Sequence, residues 1–435
     1  MIQAIIKFLR NDFQFYIFLL VAFLMPLTKE YLPYLMFLWV FSGVITIRRI
    51  DINYSGFQLL LIVLPALFYL IHGVGLFYTS DLRSGLFDLE MKLSLLFVPV
   101  VIMFLTNRVK QNFSIILRAF VWGNLVALLI MLFKAFESSF ILTEAGKLVF
   151  EPSYWTSERD LSFFQLVNQR YSHFSYSFFS FIHHPSYFSM YVLFAFSLVV
   201  FFYREDEHKR SVRSSFTFAS KLIFLTVMIW FLGSRAGYLA YTAVFLGLII
   251  FFMIKTQKYL ISFGLIVTGF VLLTVFMSPQ LKKNIHEVIH QVENQQELTS
   301  ESDIRLWLWK SGIEVYRENY LWGVGTGDIK EEMIEKYHQY NLSLAEDKNY
   351  NLHNQYLESA LGLGILGLFS LLFWILSVIV YAISSRSFLL FFFTLILSIH
   401  FMFESMLNSI AGVSFFTFFY GLLLAKNKTG KKEFS

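Results

Sequence analysis

Three ionisable side chains in this sequence could do chemistry and lie apart from its long apolar runs. Arg235 follows Ser234 in the small-residue run 233–237, Arg305 begins an aromatic-rich stretch, and His353 ends a long polar one. An arginine is a permanent cation whose planar fork of N–H donors can bind phosphate oxygens in pairs. An imidazole, with an ordinary pKa of about 6.5, can take a proton at neutral pH, as general-base activation of a sugar hydroxyl requires.

Each of these residues also has a purely structural explanation. Arg235 could be a side chain that ends a helix and reaches toward water, and spacing alone does not separate the two explanations. Arg305 taken alone is better explained as a solvated charge paired with Asp303 or Glu301. His353 taken alone is better explained as a capping or interfacial histidine. Only their order along the chain adds weight to a functional interpretation.

His184 is a candidate for contact with an acceptor. It stands between His183 and Pro185. Adjacent side chains point in different directions, so the two histidines are a poor metal chelator, and a proline near the first turn predicts that a helix begins here. Ser234 and Asn354, each beside one of the ionisable residues, are further candidates for substrate binding.

His400 and Glu404 are four residues apart at the end of an apolar run, so they are predicted to share a helix face. They could support a site or form a structural hydrogen-bonded pair. The run 323–327 has glycine at every second position, but it follows no strand of a βαβ unit, so a bend in a loop is predicted and a nucleotide site is disfavoured. The sequence shows no metal-ligand set, no cofactor motif and no cysteine.

The elements that must position these residues are membrane-spanning helices. The chain has 435 residues, of which 57% are hydrophobic and 15% are charged, whereas soluble domains are typically about 25% charged. One globular core cannot bury so much apolar surface, so that surface must face lipid. The net charge is +5, but the basic residues lie in short clusters between apolar runs, which indicates membrane orientation and argues against nucleic-acid binding.

About twelve apolar runs approach the length of about 20 residues that a spanning helix needs. The excess of Lys and Arg in alternate connections, 204–213 among them, predicts that both termini lie on the cytoplasmic side of the membrane. The first run is interpreted as an uncleaved helix, because no small-residue cleavage site follows it. The outside connections hold Lys29, Arg83, Lys92 and Arg235. The predicted spans are 13–28, 31–47, 57–77, 93–106, 115–135, 185–203, 218–233, 237–254, 259–277, 359–383, 388–403 and 410–425.

Two long polar segments, 137–184 and 278–354, fall outside the cell in this topology. The second is predicted to contain a helix with one apolar face over Leu281–Val292, and then an aromatic-rich interfacial helix over Ile304–Tyr316. Residues Asp81–Leu96 are predicted to run laterally before a span. Because the spans carry few charges, the ionisable residues collect at the outer face, whereas a proton-coupled transporter would bury them near the bilayer centre.

These motifs, in this order, resemble the O-antigen ligase and polymerase superfamily. A small-Ser-Arg-small turn lies between two helices, an Arg followed by tryptophans lies in a long loop, a glycine-rich turn comes next, and a His-Asn pair precedes a glycine-bearing helix. The residues concerned are Ser234, Arg235, Ala236, Gly237, Arg305, Trp307, Trp309, Gly323, Gly325, Gly327, His353, Asn354, Gly362, Gly364 and Gly367. Trp322 stands where the family often shows Pro. The motif region is 222–381, and the helix count extends the likeness loosely to the whole chain, 1–435.

The resemblance implies an all-α, polytopic membrane fold of the C-type glycosyltransferase kind, with inverting, metal-independent transfer and no cofactor. It implies a glycan donor on undecaprenyl diphosphate, whose diphosphate Arg235 and Arg305 engage, and an acceptor hydroxyl beside His353. Whether His353 is the general base stays open. So does the acceptor: lipid A–core for a ligase, which is slightly favoured, another lipid-linked repeat for a polymerase, or a protein for an O-oligosaccharyltransferase. A lipid-glycan flippase is the alternative from another class, and the sequence leaves the oligomeric state open.

Overall fold

The computed structural model describes residues 8–9, 12–46, 54–142, 146–152, 172–206, 211–254 and 301–426. The predicted span 259–277 and the predicted amphipathic helix at Leu281–Val292 lie outside these residues. The contacts divide the chain into two compact units. The first unit consists of residues 1–39 and 106–271, and the second of residues 40–105 and 272–435.

The described chain is mostly α-helical. In chain order its elements are α1 (Phe13–Leu24), α2 (Leu32–Ile45), α3 (Gly56–Gly75), α4 (Leu82–Met103), α5 (Asn107–Gln111), α6 (Phe113–Ser139), β1 (Phe140–Leu142), β2 (Leu148–Phe150), α7 (Tyr176–Phe179), α8 (Pro185–Glu205), α9 (Val212–Leu232), α10 (Arg235–Ile254), α11 (Glu301–Glu318), α12 (Ile329–Gln339), α13 (Ser343–Asp347), α14 (Gln355–Ser384), α15 (Phe388–Phe401), a 3₁₀ turn (Met406–Asn408) and α16 (Ile410–Lys426).

In the first unit α8 is the central helix. Nearly every side chain from Pro185 to Phe202 is buried, because α6, α9 and α10 all pack against it. The helix begins where the sequence predicts, with His184 as the N-cap residue and Pro185 in the first turn. A helix that is apolar on all sides must be surrounded by other helices or by lipid.

In the second unit α4 packs against both α3 and α16, while α14 packs against α3, α11 and α15. The aromatic-rich helix predicted over Ile304–Tyr316 is confirmed as α11. It buries Ile304 and Leu308, four residues apart, in a core shared with Leu352 and Leu361, as the helical period requires.

Five described helices, α3, α6, α8, α9 and α14, are long and apolar enough to cross a membrane. The apolar helices α1, α2, α15 and α16 and the part Arg235–Ile249 of α10 are shorter, and they coincide with other predicted spans. An all-α membrane protein is therefore what the described residues show. The full set of twelve spans stays a prediction.

The prediction of a lateral segment over Asp81–Leu96, followed by a span at 93–106, is wrong. The structure has one continuous helix, α4, which begins after Asp81, whose carboxylate accepts a hydrogen bond of 3.0 Å from the Ser84 N–H. Lys92, which the charge count placed in an outside connection, lies inside this helix. Its side chain is buried and forms an ion pair with Asp88, four residues earlier. This pair compensates the cost of burying the ammonium group.

The polar segment predicted at 137–184 starts later than expected, because α6 continues to Ser139. A short antiparallel ladder follows at once, with Phe140 opposite Phe150. Their ring centroids are 5.2 Å apart in an edge-to-face contact, an arrangement that stabilises cross-strand pairs. The sequence analysis predicted no strand here, and this short ladder does not change the predominantly helical character of the described residues.

The glycine-rich run 323–327 is a bent loop, as predicted, and it docks on a break in α14. The Val324 and Gly325 N–H groups donate to the carbonyls of Leu361 and Gly362, at 2.9 and 3.0 Å. Those carbonyls are available because α14 leaves helical geometry at Gly364, where φ is +62° and ψ is −151°. The backbone N–H groups of the loop and the free carbonyls of the broken helix therefore find their hydrogen-bond partners in each other.

Two positions of this contact have no room for a Cβ atom. A Cβ on Gly364 would lie 2.3 Å from the carbonyl oxygen of Leu321, and a Cβ on Gly323 would lie 2.5 Å from the backbone of Gly362. Both glycines also have positive φ, a region that L-residues with a Cβ rarely adopt. The spacing of glycines in both segments is thus explained by close backbone approach.

Asp328 holds the other side of this loop. Its carboxylate accepts hydrogen bonds from the Thr79 hydroxyl at 2.8 Å and from the backbone N–H groups of Ser80 and Asp81, each at 2.7 Å. Burial raises the pKa of Asp328, but these hydrogen bonds lower it by more, so its net shift is downward. The ionised carboxylate is therefore part of the folded structure.

Candidate active site

Glu404 joins two of the predicted site residues, Arg305 and His353, in the second unit. Its Oε1 accepts a hydrogen bond of 2.9 Å from the Arg305 guanidinium, and its Oε2 lies 2.9 Å from His353 Nδ1. The Glu404 side chain is 3% exposed, while those of Arg305 and His353 are each 20% exposed. One buried carboxylate thus holds two groups that still reach solvent.

Arg305 is positioned by the packing of α11. Ile304 and Leu308 on that helix are buried, and Trp309 donates from its indole N–H to the Leu352 carbonyl at 2.9 Å. These contacts fix the helix against the chain that leads to His353. The Arg305 guanidinium also donates to the Phe403 carbonyl at 3.2 Å, so its plane is set by two acceptors.

His353 is held by an unusual backbone conformation at the start of α14. Its φ is +46°, and its N–H donates to the Asn351 side chain at 3.0 Å. Asn354 accepts from the N–H groups of Tyr356 and Leu357 at 3.0 and 3.1 Å, which is N-capping geometry. The structure therefore gives Asn354, predicted to bind substrate, the role of a helix cap beside the histidine.

The chain that follows Glu404 is held by polar groups that the sequence analysis missed. Glu358, in the first turn of α14, accepts from the Ser405 hydroxyl at 3.1 Å and from the Asn408 amide at 3.0 Å. Gln355 accepts from the Leu407 N–H at 2.7 Å. The chain after Glu404 is therefore attached to the helix that begins beside His353. The available signal was the pair of polar residues, Gln355 and Glu358, at the head of an otherwise apolar helix.

His400 occupies a different environment from the residue with which it was paired. Its ring is fully buried, and Nδ1 lies 2.8 Å from the Ile396 carbonyl of its own helix. His400 and Glu404 were predicted to share a helix face, but α15 ends at Phe401. The Glu404 N–H still donates to the His400 carbonyl at 2.9 Å, in the turn that follows the helix. Glu404 lies beyond that end, where a turn brings it to Arg305 and His353.

The described geometry can orient a base. When the His353 Nδ1–H donates to Glu404, the other ring nitrogen, Nε2, carries the lone pair. Within the described residues no hydrogen-bond partner is placed on Nε2, and the ring stands edge to face with Tyr350 at 5.6 Å. The charges of Arg305 and Glu404 cancel, so with a neutral imidazole the cluster has no net charge.

Ser234, Arg235 and His184 belong to the first unit. Gly233 ends α9 with φ of +59°, and the Ser234 hydroxyl accepts from the Gly237 N–H at 3.1 Å, as the N-cap of α10. Ser234 is buried, whereas Arg235 is exposed. The Ser234 hydroxyl is 3.4 Å from that of Ser186, two residues after His184, so this turn and the start of α8 lie together.

The two adjacent histidines point in different directions, as predicted. His183 is buried, with Nε2 3.0 Å from the Met25 carbonyl. His184 is exposed, and its Nδ1 accepts from the Ser186 N–H at 3.4 Å. Helix-start chemistry therefore accounts for the His184 side chain in this structure.

Comparison with known protein families finds a match in the motif region. Residues 221–372 match the O-antigen ligase family. A comparison with curated proteins finds no match. The matched segment contains Arg235, Arg305 and His353, together with the glycine-rich loop, whereas Glu404 lies beyond it. Residues 221–372 therefore match the O-antigen ligase family in the region where the order of the motifs predicts it.

Proposed function

We propose that this protein transfers a glycan from undecaprenyl diphosphate to an acceptor hydroxyl at the outer face of the bacterial inner membrane. The observation that supports the chemistry most directly is the contact of Glu404 with both Arg305 and His353. This contact fixes the orientation of the Arg305 guanidinium, and it favours the His353 tautomer in which Nδ1 carries the proton. The family match supports lipid-linked glycan substrates in general.

In the proposed reaction His353 Nε2 takes the proton from the acceptor hydroxyl. The oxygen attacks the anomeric carbon from the face opposite the diphosphate, and a new glycosidic bond forms. The bond from that carbon to the diphosphate oxygen breaks at the same time, so the configuration inverts. The diphosphate leaves with the bonding electron pair, and the proton on His353 later passes to water.

Arg305 would stabilise the charge that grows on the leaving diphosphate. A guanidinium has five N–H donors, and two of them are used by Glu404 and the Phe403 carbonyl. The remaining donors are held in a fixed direction, which is the arrangement that favours a transition state over a ground state. Arg235 would contribute a second guanidinium, a role that rests on the family motif.

Two properties of the donor explain why the proposal needs no cofactor or metal ion. The sugar is already activated by its diphosphate, so no nucleotide has to be bound. Two guanidinium groups can supply the charge stabilisation that Mg²⁺ supplies elsewhere. The lipid tail stays in the bilayer, so a site at the membrane surface can reach the head group.

The test is a transfer assay with purified protein, a glycan on undecaprenyl diphosphate and a lipid-linked acceptor, in buffer containing EDTA. Wild-type protein should transfer, and Arg305→Ala should lower kcat by about 10²–10³ because one preorganised contact to the leaving group is lost. The matched control is Arg317→Ala, an exposed arginine in the last turn of the same helix. Transfer by Arg305→Ala at the rate of the control, or transfer that requires added Mg²⁺, would contradict the proposal.

The acceptor separates the related activities. Deletion of the gene should change the surface polysaccharide in a way that identifies the acceptor. Accumulated long lipid-linked chains would indicate a ligase for lipid A–core, accumulated single repeats a polymerase, and loss of glycoprotein a protein O-oligosaccharyltransferase. A flippase, the alternative from another class, would leave the purified protein without transfer activity.

A further inference from the structure

The first unit contains an open cavity of about 410 Å³ that the proposed reaction does not use. It lies over α8, with α6 on one side and α9 on the other. Aromatic side chains form part of its wall, with Tyr203 and Phe218 stacked at 3.9 Å between ring centroids. Its charged lining residues are Arg118, Asp206, Arg213 and Lys221.

The lining of this cavity has more positive than negative charge. Three cations face one carboxylate, and that carboxylate, Asp206, forms an ion pair of 2.9 Å with Arg118. Among the described residues, neither Arg213 nor Lys221 has a carboxylate within ion-pairing distance. Repulsion between such cations is relieved when an anion binds among them.

Two of these cations are held against aromatic rings. The Arg118 guanidinium lies 4.0 Å from the centroid of Phe202, and the Lys221 ammonium lies 5.1 Å from that of Trp122. Cation–π contacts restrain long side chains without neutralising their charge. Two of the three cationic groups are therefore partly ordered before any ligand arrives.

An exposed apolar face on α6 continues from the cavity, and Trp122 belongs to both. Ile115, Trp122 and Leu129 are spaced by seven residues, and Phe133 follows four residues later, so all four lie on one side of the helix. Their exposed fractions are 48, 55, 54 and 72%. A ligand that combines an anionic head with an apolar chain would cover both features, whereas a free phosphate ion would cover only the first.

We propose that this cavity binds an anionic phospholipid, with its phosphate among Arg118, Arg213 and Lys221 and an acyl chain along the exposed face of α6. Basic pockets between membrane helices bind acidic lipid head groups by this combination of charge and hydrocarbon contact. In the orientation predicted from the loop charges the lipid belongs to the cytoplasmic leaflet. The proposal does not depend on the transfer reaction.

Native mass spectrometry of the detergent-purified protein tests it, with phosphatidylglycerol and phosphatidylcholine added in parallel titrations. Wild-type protein should retain phosphatidylglycerol more strongly than phosphatidylcholine. The triple variant Arg118→Gln, Arg213→Gln, Lys221→Gln should bind it more weakly, by about fivefold for each cation removed. The control is Lys134→Gln, an exposed lysine on the same helix outside the cavity. Equal binding by the triple variant and the control overturns the proposal.

A second variant separates a lipid from a free phosphate. The double variant Leu129→Ala, Phe133→Ala keeps every cation and its aromatic contact but shortens the apolar face outside the cavity, so it should weaken phosphatidylglycerol binding while leaving the cavity unchanged. If inorganic phosphate at equal concentration displaces the lipid, or if this double variant binds the lipid as wild type does, the lipid assignment is wrong. Unfolding temperatures measured for all variants exclude a general loss of structure as the cause.

Discussion

Two motif regions of the second unit are held together by different parts of the chain. In the cluster of Arg305, Glu404 and His353 the two contacts that define it join side chain to side chain. Where the loop 323–327 packs on α14, the hydrogen bonds join backbone groups, and glycines allow the two backbones to approach closely. The first arrangement leaves reactive groups partly exposed, and the second leaves no room for a side chain.

The difference predicts which motif residues affect the reaction and which affect the stability of the fold. A side-chain cluster can lose one functional group while the backbone stays in place, so its substitutions should act on transfer. A backbone contact cannot accept a Cβ without moving, so its substitutions should act on stability. Both kinds of residue look alike in the sequence, where each belongs to a short motif.

Glu404→Gln should have a large effect on transfer, because it keeps the shape of the side chain but removes its charge. Glu404 acts through His353 and Arg305, so it is a positioning residue. The neutral amide no longer compensates the guanidinium or orients Nδ1–H as firmly, and kcat should fall by about 10²-fold while KM changes little. Steady-state kinetics with the lipid-linked donor measure both constants.

The second unit offers a matched control for this experiment. Glu346 lies 3.0 Å from the Nε2 atom of His338, in a more exposed pair outside the cluster. Glu346→Gln therefore breaks the same kind of Glu–His contact and should leave kcat near the wild-type value. A kcat for Glu404→Gln equal to that of Glu346→Gln would show that the carboxylate does not serve the reaction.

Gly364→Ala should have its effect on folding. The added Cβ would lie 2.3 Å from the Leu321 carbonyl oxygen, at a φ of +62°, and this should lower the free energy of unfolding by about 3 kcal/mol or more. Thermal unfolding in detergent measures the loss. Gly73→Ala in α3 is the control, because a Cβ there meets nothing within 4 Å and alanine favours a helix. Equal melting of the two variants would contradict the backbone-contact explanation.

The smallest effect should be the pH dependence that Asp328 contributes. Its pKa is lowered from the ordinary 3.8 in the folded protein, so its stabilisation is complete above that value and is lost as pH falls through the folded-state pKa. Asp328→Asn should cost roughly 1–2 kcal/mol at neutral pH. The variant should also lose less stability than wild type on acidification below about pH 4. Chemical unfolding at several pH values tests this, and parallel pH curves for the two proteins would refute it.

The sequence predicted the elements that local patterns control. The aromatic-rich stretch Ile304–Tyr316 predicted α11, and the proline after His184 predicted the start of α8. The glycine spacing predicted a bent loop at 323–327. In each case neighbouring residues alone determine the outcome, through helical periodicity, first-turn geometry or backbone freedom.

The sequence could not predict contacts between distant segments. Glu404 is 99 residues from Arg305 and 51 from His353, and no spacing rule connects them. It was paired instead with His400, four residues away, since a helix was expected to continue through both. The helix ends at Phe401, and the turn that follows is fixed by Glu358 and Gln355, whose role depends on tertiary structure.

The most direct measurement of the central claim is glycan transfer from undecaprenyl diphosphate by His353→Ala beside His338→Ala. Both variants remove one imidazole that contacts a glutamate in the second unit. His353→Ala should lose about 10²–10⁴ of the transfer rate, while His338→Ala, an exposed position, should stay within about twofold of wild type. Transfer by His353→Ala at the wild-type rate would contradict the account.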